Sequence, residues 1–381
     1  MKIHQITLTD WKSPDRQLQP LVALGPNLVL VFGATPFFAG GDANALAGRF
    51  PGAVVIGCST AGEVSTQGVQ EGSVVVTAVR LDATRIVAGT TDLAGMGDSR
   101  AAGERLGRQL AAPELGLVLV FGQGVEINGS ALIQGMAEVL GNSVPITGGL
   151  AGDDGAFVKT WTLGMNGASD RAIVAVGLAG DGLRIGHGSY GGWATFGPAR
   201  KVTRCDGNVL YELDGEPALD IYKRYLGEYA RDLPASGLLF PFAMLGDDMS
   251  AIGLIRTILG VDEQAGSLTL AGEILQGGYL KLMHASTDAL IDGAETAANA
   301  VAAMSGPTAA ETMLAILVSC VGRKLVMGDR VEEEVETVSS VLGSAAVCTG
   351  FYSYGEISPF AAGATCKLHN QTMTITTIAE A

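Results

Sequence analysis

The residues of this chain best placed to do chemistry gather in three glycine-rich segments, each just after an apolar run: GCSTAGE at 57–63, GGLAGDD at 148–154 and GFYSYGE at 350–356. Each carries an acid that could meet a ligand: Glu63, Asp153 and Glu356. The first and third share the frame G-x-x-[ST]-x-G-E. Backbone N–H groups in such turns approach a ligand closely, and a carboxylate binds an ammonium group. The same features also serve tight packing and turn capping. Cys58 and Ser59 lie in the first segment; Tyr354 lies in the third, beside Phe351 and Tyr352. A further group is SCVGRK at 319–324, just past an apolar run, where sites in α/β sheets collect. Arg323 could grip a ligand carboxylate with two donors, or pair with Glu332 or Glu333 of the following helix. Cys320 is a candidate nucleophile, set against the ordinary packing of a buried thiol.

Several chemistries are disfavoured by spacing alone. No segment matches GxxxxGK[ST] or GxGxxG, so nucleotide phosphate binding is not expected. The five cysteines form no CxxC pair, which argues against a zinc site, a disulfide frame and covalent haem attachment. DGNVLYELDGEP at 206–217 lacks the calcium-loop spacing; its Asp214-Gly215 reads as a hairpin turn before a helix at Pro217.

The elements that must position these groups follow from periodicity. LVLVF at 28–32 recurs letter for letter at 117–121. Each is followed by a helix, from 42 and over 130–140, then by a strand, 53–56 and 144–147, that runs into a glycine-rich segment. A hairpin is expected after each, 73–81 with 84–91 and 172–178 with 183–187, so the first half reads as two copies of one unit. A helix over 98–111 sets Ala102, Leu106 and Leu110 on one face. Strand 314–320, helix 329–342 and strand 345–348 echo the unit, and alternating Thr and apolar residues at 367–378 suggest an outer strand. The aromatic, glycine-rich stretch 188–197 reads as a crossing loop. The expected class is therefore α/β, with mixed β-sheets flanked by helices and internally repeated units. The expected divisions are a lead-in at 1–27, a domain at 28–197 and a domain at 198–381.

Composition narrows the function. The chain has 381 residues, 48% hydrophobic and 17% charged, with a formal net charge of −15. That balance excludes a disordered chain or coiled coil, and repels nucleic acid and anionic lipid. Glycine is the outlier at 54 residues, about twice the usual ~7%. The N-terminus lacks the apolar core of a signal peptide, and Pro20, Pro26 and Pro36 interrupt the longest uncharged stretch. A cytoplasmic location without membrane insertion is expected.

Read together and in order, several segments resemble the FIST family of bacterial sensory domains, in its N-terminal and C-terminal parts. They are GCSTAGEVS (57–65), GGLAGDD (148–154), GW…FGPARKVTRCDGNVLYELDGEPALDIYKRYLG (192–227), SCVGRKLVMGDRVEEEVE (319–336), GFYSYGEISPF (350–360) and LHNQTMTIT (368–376). The resemblance implies a small-molecule-binding sensor of signal transduction, not an enzyme. Its output would pass through a separate partner such as a histidine kinase or a cyclic-di-GMP enzyme, and a homodimer is an open option. A stand-alone layout is similar to the NosP type, which implies haem b and nitric oxide. His187, in GHGSYGGW beside Tyr190 and Trp193, is a candidate iron ligand, with flanking glycines leaving room for a flat macrocycle; His369 is a second candidate, Tyr190 or a cysteine could serve instead, and either histidine also suits an ordinary structural role. The alternative is a haem-free sensor of an amino-acid-like ligand, with Glu356 on the ammonium and Arg323 on the carboxylate. Cys58, Ser59, Glu63, Asp153, Cys320, Tyr354 and Asn370 complete the candidate binding set. A thiol-dependent hydrolase using Cys320 is the reading from another class.

Overall fold

Short apolar runs such as LVLVF are buried on both faces when helices cover one side of a sheet and other strands cover the other. The chain builds that arrangement three times. The computed structural model describes residues 1–246, 248–305, 312–359 and 365–380, so Phe360, which ends one of the quoted segments, lies outside the described residues. The order edge strand, helix, strand, helix, strand, hairpin, strand runs over residues 2–80 and again over 85–179. It runs a third time over 183–190 and 287–380, with residues 194–284 inserted after the edge strand. The C-terminal echo is thus a full third copy, and the lead-in 1–27 supplies the first copy's edge strand and helix.

Each copy centres on two parallel strands: Leu28–Gly33 with Val54–Ser59, Leu115–Gly122 with Ile146–Leu150, and Met313–Cys320 with Ala346–Ser353. An antiparallel strand follows on one side: Val74–Arg80, Ala172–Ala179 or Met373–Glu380. The other side is completed by a short hairpin lent by another copy. The hairpin after GCSTAG (Glu63–Ser65 with Gly68–Gln70) joins the third sheet. The hairpin Thr162–Gly164 with Gly167–Ser169 joins the first, and Gly355–Pro359 with Cys366–His369 joins the second.

Two sequence expectations are corrected here. Residues 74–80 and 85–92 do not pair with each other, and neither do 172–179 and 183–190. The turn between them carries the chain from one sheet to the edge of the next, so the similar segments RIVAG (85–89) and RIGHG (184–188) each lie in the edge strand that opens a copy. The stretch 367–378 is not one outer strand. It is broken at Gln371, whose φ is +63°, and its second half lies between two other strands of the third sheet. Its threonines bury because their hydroxyls can use backbone carbonyls, as Thr374 does with Val318 at 3.1 Å.

The three sheets meet face to face on an apolar centre. Phe32 and Phe121, the last residues of the two LVLVF runs, pack with Phe351 of the third copy at centroid distances of 4.9–5.9 Å. Each copy also places a glycine where the paired backbone leaves no room. A Cβ on Gly57, Gly148 or Gly350 would lie 1.7, 2.0 or 1.8 Å from the carbonyl oxygen of Val31, Val120 or Leu317. Outside, the helices Ser99–Leu110 and Gly129–Leu140 cover the second sheet. The 19-residue helix Thr287–Ser305, which the sequence reading did not pick out, covers the third with Val331–Leu342.

The inserted module wraps a nine-stranded antiparallel sheet around the helix Ala218–Leu226. Its Asp214-Gly215 turn has φ of +52° and +83°, as a two-residue hairpin with positive φ at both centres requires. The expected crossing loop forms a neck: Ala194 and Thr195 pair with His284 and Met283, so the module's entry and exit run side by side. Among the described residues, no helix is long and apolar enough to cross a membrane.

Candidate functional site

The three glycine-rich segments begin in the last residues of parallel strands and run on past them, and the pseudo-threefold arrangement brings them together at one end. Ala61 N–H donates to Tyr352 O and Tyr352 N–H to Gly62 O, both at 2.9 Å. Gly152 N–H donates to Ser59 O at 2.9 Å and Tyr354 N–H to Leu150 O at 3.1 Å. The ring so formed is closed by its own side chains. Cys58 is buried in the central core. The Ser59 hydroxyl donates to Gly152 O at 2.7 Å and accepts from Trp161 N–H at 2.9 Å.

The shared frame explains its acids as hairpin clasps. Glu63 accepts from the Thr60 hydroxyl, three residues back, and from both the N–H (3.0 Å) and hydroxyl (2.8 Å) of Ser73. Glu356 does the same with the Ser353 hydroxyl (2.6 Å) and the N–H (3.2 Å) and hydroxyl (3.1 Å) of Thr372. Both lie beneath the surface, and burial raises the pKa of each, in Glu356 to about 8. Asp153 clasps its own loop, accepting from the N–H groups of Phe157, Val158 and Lys159 at 2.7–2.8 Å and from the Tyr354 hydroxyl.

Arg323 is likewise spent inside. It is fully buried, pairs with Glu334, and donates to Leu290 O (2.8 Å) and Gly191 O. The expected ligand carboxylate is thus a side chain of this chain. Glu334, not Glu332 or Glu333, shares the helix face of the buried Val335 and Val338. Glu334 also accepts from the Ser319 and Tyr352 hydroxyls at 2.9 and 2.7 Å. Cys320 precedes the helix Val321–Met327 without a side-chain capping bond and is buried beside Glu356, and burial pushes its thiol up, away from nucleophilic use.

The residues named for haem, His187, Tyr190, Trp193 and His369, are packed or hydrogen-bonded within the chain and line neither of the two cavities at the module boundary. His187 sits within the strand Leu183–Tyr190, buried, and burial lowers its pKa. The flanking glycines serve a helix instead: a Cβ on Gly188 or Gly192 would lie 2.2 or 2.1 Å from the carbonyl oxygens of Ala297 or Ala289. Tyr190 is half exposed, and the Trp193 indole donates to Gln371 O at 2.9 Å. His369 bonds Ser358 O through Nε2 at 2.8 Å, and burial pulls its pKa down to about 4. Asn370 is buried in the adjoining turn. This set does not fit a macrocycle. Among the described residues, no group of three or more His, Cys, Asp or Glu side chains could hold a metal ion.

Space lies elsewhere, between the core and the inserted module. A cleft of about 460 Å³ is walled by the core helix Gly129–Leu140 (Ser130, Gln134) and by module residues that include Leu254, Arg256 and Glu273. Arg256 is only 4% exposed. Its Nε donates to Glu273 O at 2.9 Å and its Nη1 to Ile255 O at 3.0 Å. Among the described residues it is in no ion pair, and burial pulls its guanidinium down to about 10 despite the Glu273 charge. The lining also carries Glu273, Glu138 and the exposed Lys367, with the apolar Ile252 and Leu275. A cation at the floor and carboxylates at the rim suit a small zwitterion. No motif marks Arg256; the signal that could have found it is one charge inside the apolar run AIGLIRTIL at 251–259.

Comparison with known proteins gives two family matches: the FIST N domain over residues 27–216 and the FIST C domain over 218–359. An uncharacterized protein of Methanocaldococcus jannaschii is 30% identical over 170 residues. That match takes in 39% of this chain and 31% of the relative, so the chain spans about a third of the relative's length. A cyanuric acid hydrolase from A. caulinodans aligns with 100% of this chain and 98% of its own, at 12% identity and a TM-score of 0.40. A likeness that distant carries no argument about fold or chemistry.

Proposed function

Because the chain belongs to the FIST family, through both an N and a C domain, we propose that it senses a small amino-acid-like ligand held between core and module. FIST domains are associated with signal-transduction sensing. The observation that carries the reading is Arg256. Among the described residues this buried guanidinium bonds only backbone carbonyls, with the Glu273 charge near but not paired to it; burial of that kind is costly, and an anionic ligand group would relieve the cost. The roles first given to Arg323 and Glu356 pass to Arg256 for the carboxylate and to Glu273 or Glu138 for the ammonium.

The output follows from where the ligand sits. A ligand on Arg256 that also touches Ser130 or Gln134 bridges module and core. It therefore favours arrangements in which the two are close. The neck transmits the change: Arg323 holds Gly191 O at the entry and Leu290 O just past the exit, and Gln371 Nε2 donates to Leu238 O of the module at 2.8 Å. A separate partner, such as a histidine kinase or a cyclic-di-GMP enzyme, would read the difference.

A thermal-shift screen of the common amino acids, followed by titration calorimetry of each hit, tests the site. Losing a charge-assisted pair costs about 1.5–3 kcal/mol, so Arg256→Gln should weaken a hit by roughly ten- to a hundredfold. A hit of equal affinity in R256Q would place the ligand elsewhere. Haemin is the control for the haem and nitric oxide alternative. A sharp Soret band that weakens in His187→Ala would favour that alternative over the present reading.

A further inference from the structure

The core wall serves a second cavity, of about 280 Å³: Gly129 lines this one where Ser130 lines the first. Its chemistry differs. The Arg256 cleft is lined by Glu138, Arg256, Glu273 and Lys367, whereas no charged side chain is among the described residues lining the second. A zwitterion would lose its hydration there without compensation, so the cavity selects against the ligand of its neighbour.

One wall is an aromatic shelf. Phe157 and Tyr354 stack with centroids 4.0 Å apart and planes 13° from parallel. The shelf is fixed from behind. The Tyr354 hydroxyl donates to Asp153 and accepts from the N–H groups of Asp153, Gly155 and Phe157 at 3.0–3.3 Å. Phe157 and Asp154 hold positive φ, +54° and +59°, which non-glycine residues adopt at a cost. The Asp153 clasp keeps that loop wound and sets the ring in place before any ligand arrives. The module wall contributes Gly260 and Gly272, with the polar Asn208 and Thr269 nearby. A slot with an aromatic floor, a glycine-bearing wall and neutral hydrogen-bonding groups matches a flat ring with ring nitrogens.

We infer that this slot binds a neutral, planar heteroaromatic ring of one or two fused rings, stacked on the Phe157–Tyr354 shelf. The site is separate from the Arg256 cleft, and its ligand does not depend on the amino-acid reading. It also gives Tyr354 a role beyond the core: the residue belongs to the third glycine-rich segment and reaches the module interface.

The test uses the full chain with adenine and indole as probes, by saturation-transfer NMR and titration calorimetry. Saturable binding of at least one probe is expected. Phe157→Ala should weaken it roughly tenfold or more, the scale of a lost ring stack. Gly260→Leu should abolish it: Gly260 lines the slot, and a Cβ there meets nothing closer than Thr269 at 3.7 Å, so the added side chain starts without a backbone clash and takes up space the ligand needs. Arg256→Gln should weaken amino-acid binding far more than probe binding, which separates the two readings. Failure of both probes to saturate the wild-type chain would overturn the inference. Binding that survives both F157A and G260L would do the same.

Discussion

Glu356 and Arg256 are both ionisable side chains buried near small residues, one in the repeated core and one in the inserted module. Glu356 accepts hydrogen bonds from Ser353 and Thr372 and clasps a hairpin. Arg256 meets two backbone carbonyls and a cavity. The difference follows from architecture. In the core, three sheets face one another and each lends a hairpin to the next, so polar groups in the loops are used to lock neighbours together. The module joins through a paired two-strand neck and leaves space beside itself. A buried ionisable group satisfied by its own chain marks structure, and one facing a cavity marks a site.

The sharpest way to break this contrast is by volume. Gly57→Ala or Gly350→Ala places a methyl within 2 Å of a carbonyl oxygen and should cost more than about 4 kcal/mol, enough to abolish folding. Gly260→Ala in the module should cost under about 1 kcal/mol. Equal losses in chemical denaturation would show the module to be as tightly determined as the core.

Next is the buried ion pair. Arg323→Met strands Glu334 and should cost about 3–5 kcal/mol, while the double change with Glu334→Met should recover part of that. A double variant no better than the single would mean that the lost bonds to Gly191 and Leu290, not the stranded charge, dominate.

The clasp acid predicts a pH dependence. Glu356 has a folded pKa of about 8 against 4.5 unfolded, so the folded state binds its proton more tightly. The stability it adds is full below pH 4.5, falls as pH rises from 4.5 to 8, and is gone above. Glu356→Gln should flatten that fall in Tm measured across the range, and an unchanged slope would remove Glu356 as its source. His369 acts in the opposite sense: with a folded pKa near 4 against 6.5, it lowers stability as pH falls from 6.5 to 4.

The smallest effect separates stability from binding. Arg256→Gln removes a buried charge that among the described residues is in no ion pair, so the free protein should be unchanged or up to about 1 kcal/mol more stable, although ligand affinity drops. A destabilised R256Q would reassign Arg256 to the core's kind of role.

These contrasts also mark what the sequence could reveal. The LVLVF repeat and the G-x-x-[ST]-x-G-E frame were visible because local spacing sets strand ends and clasps. The converging loops were not, since their pairing joins residues as distant as Ala61 and Tyr352. The 73–91 and 172–187 hairpins were misread because two strands joined by a tight turn look alike whether they pair or change sheets. Thr287–Ser305 went unnoticed because its buried face is largely alanine, Ala294, Ala297 and Ala298, which gives little hydrophobic contrast. Arg256 belongs to no motif, and its meaning comes from a cavity that only the folded module creates.

The bridging of core and module by a ligand is the claim on which the account turns, and amide hydrogen exchange tests it directly. With a saturating amino-acid hit, protection is predicted to rise together in the core helix Gly129–Leu140 and in the module strand Ala251–Arg256. Protection confined to one of these, or to neither, would contradict it.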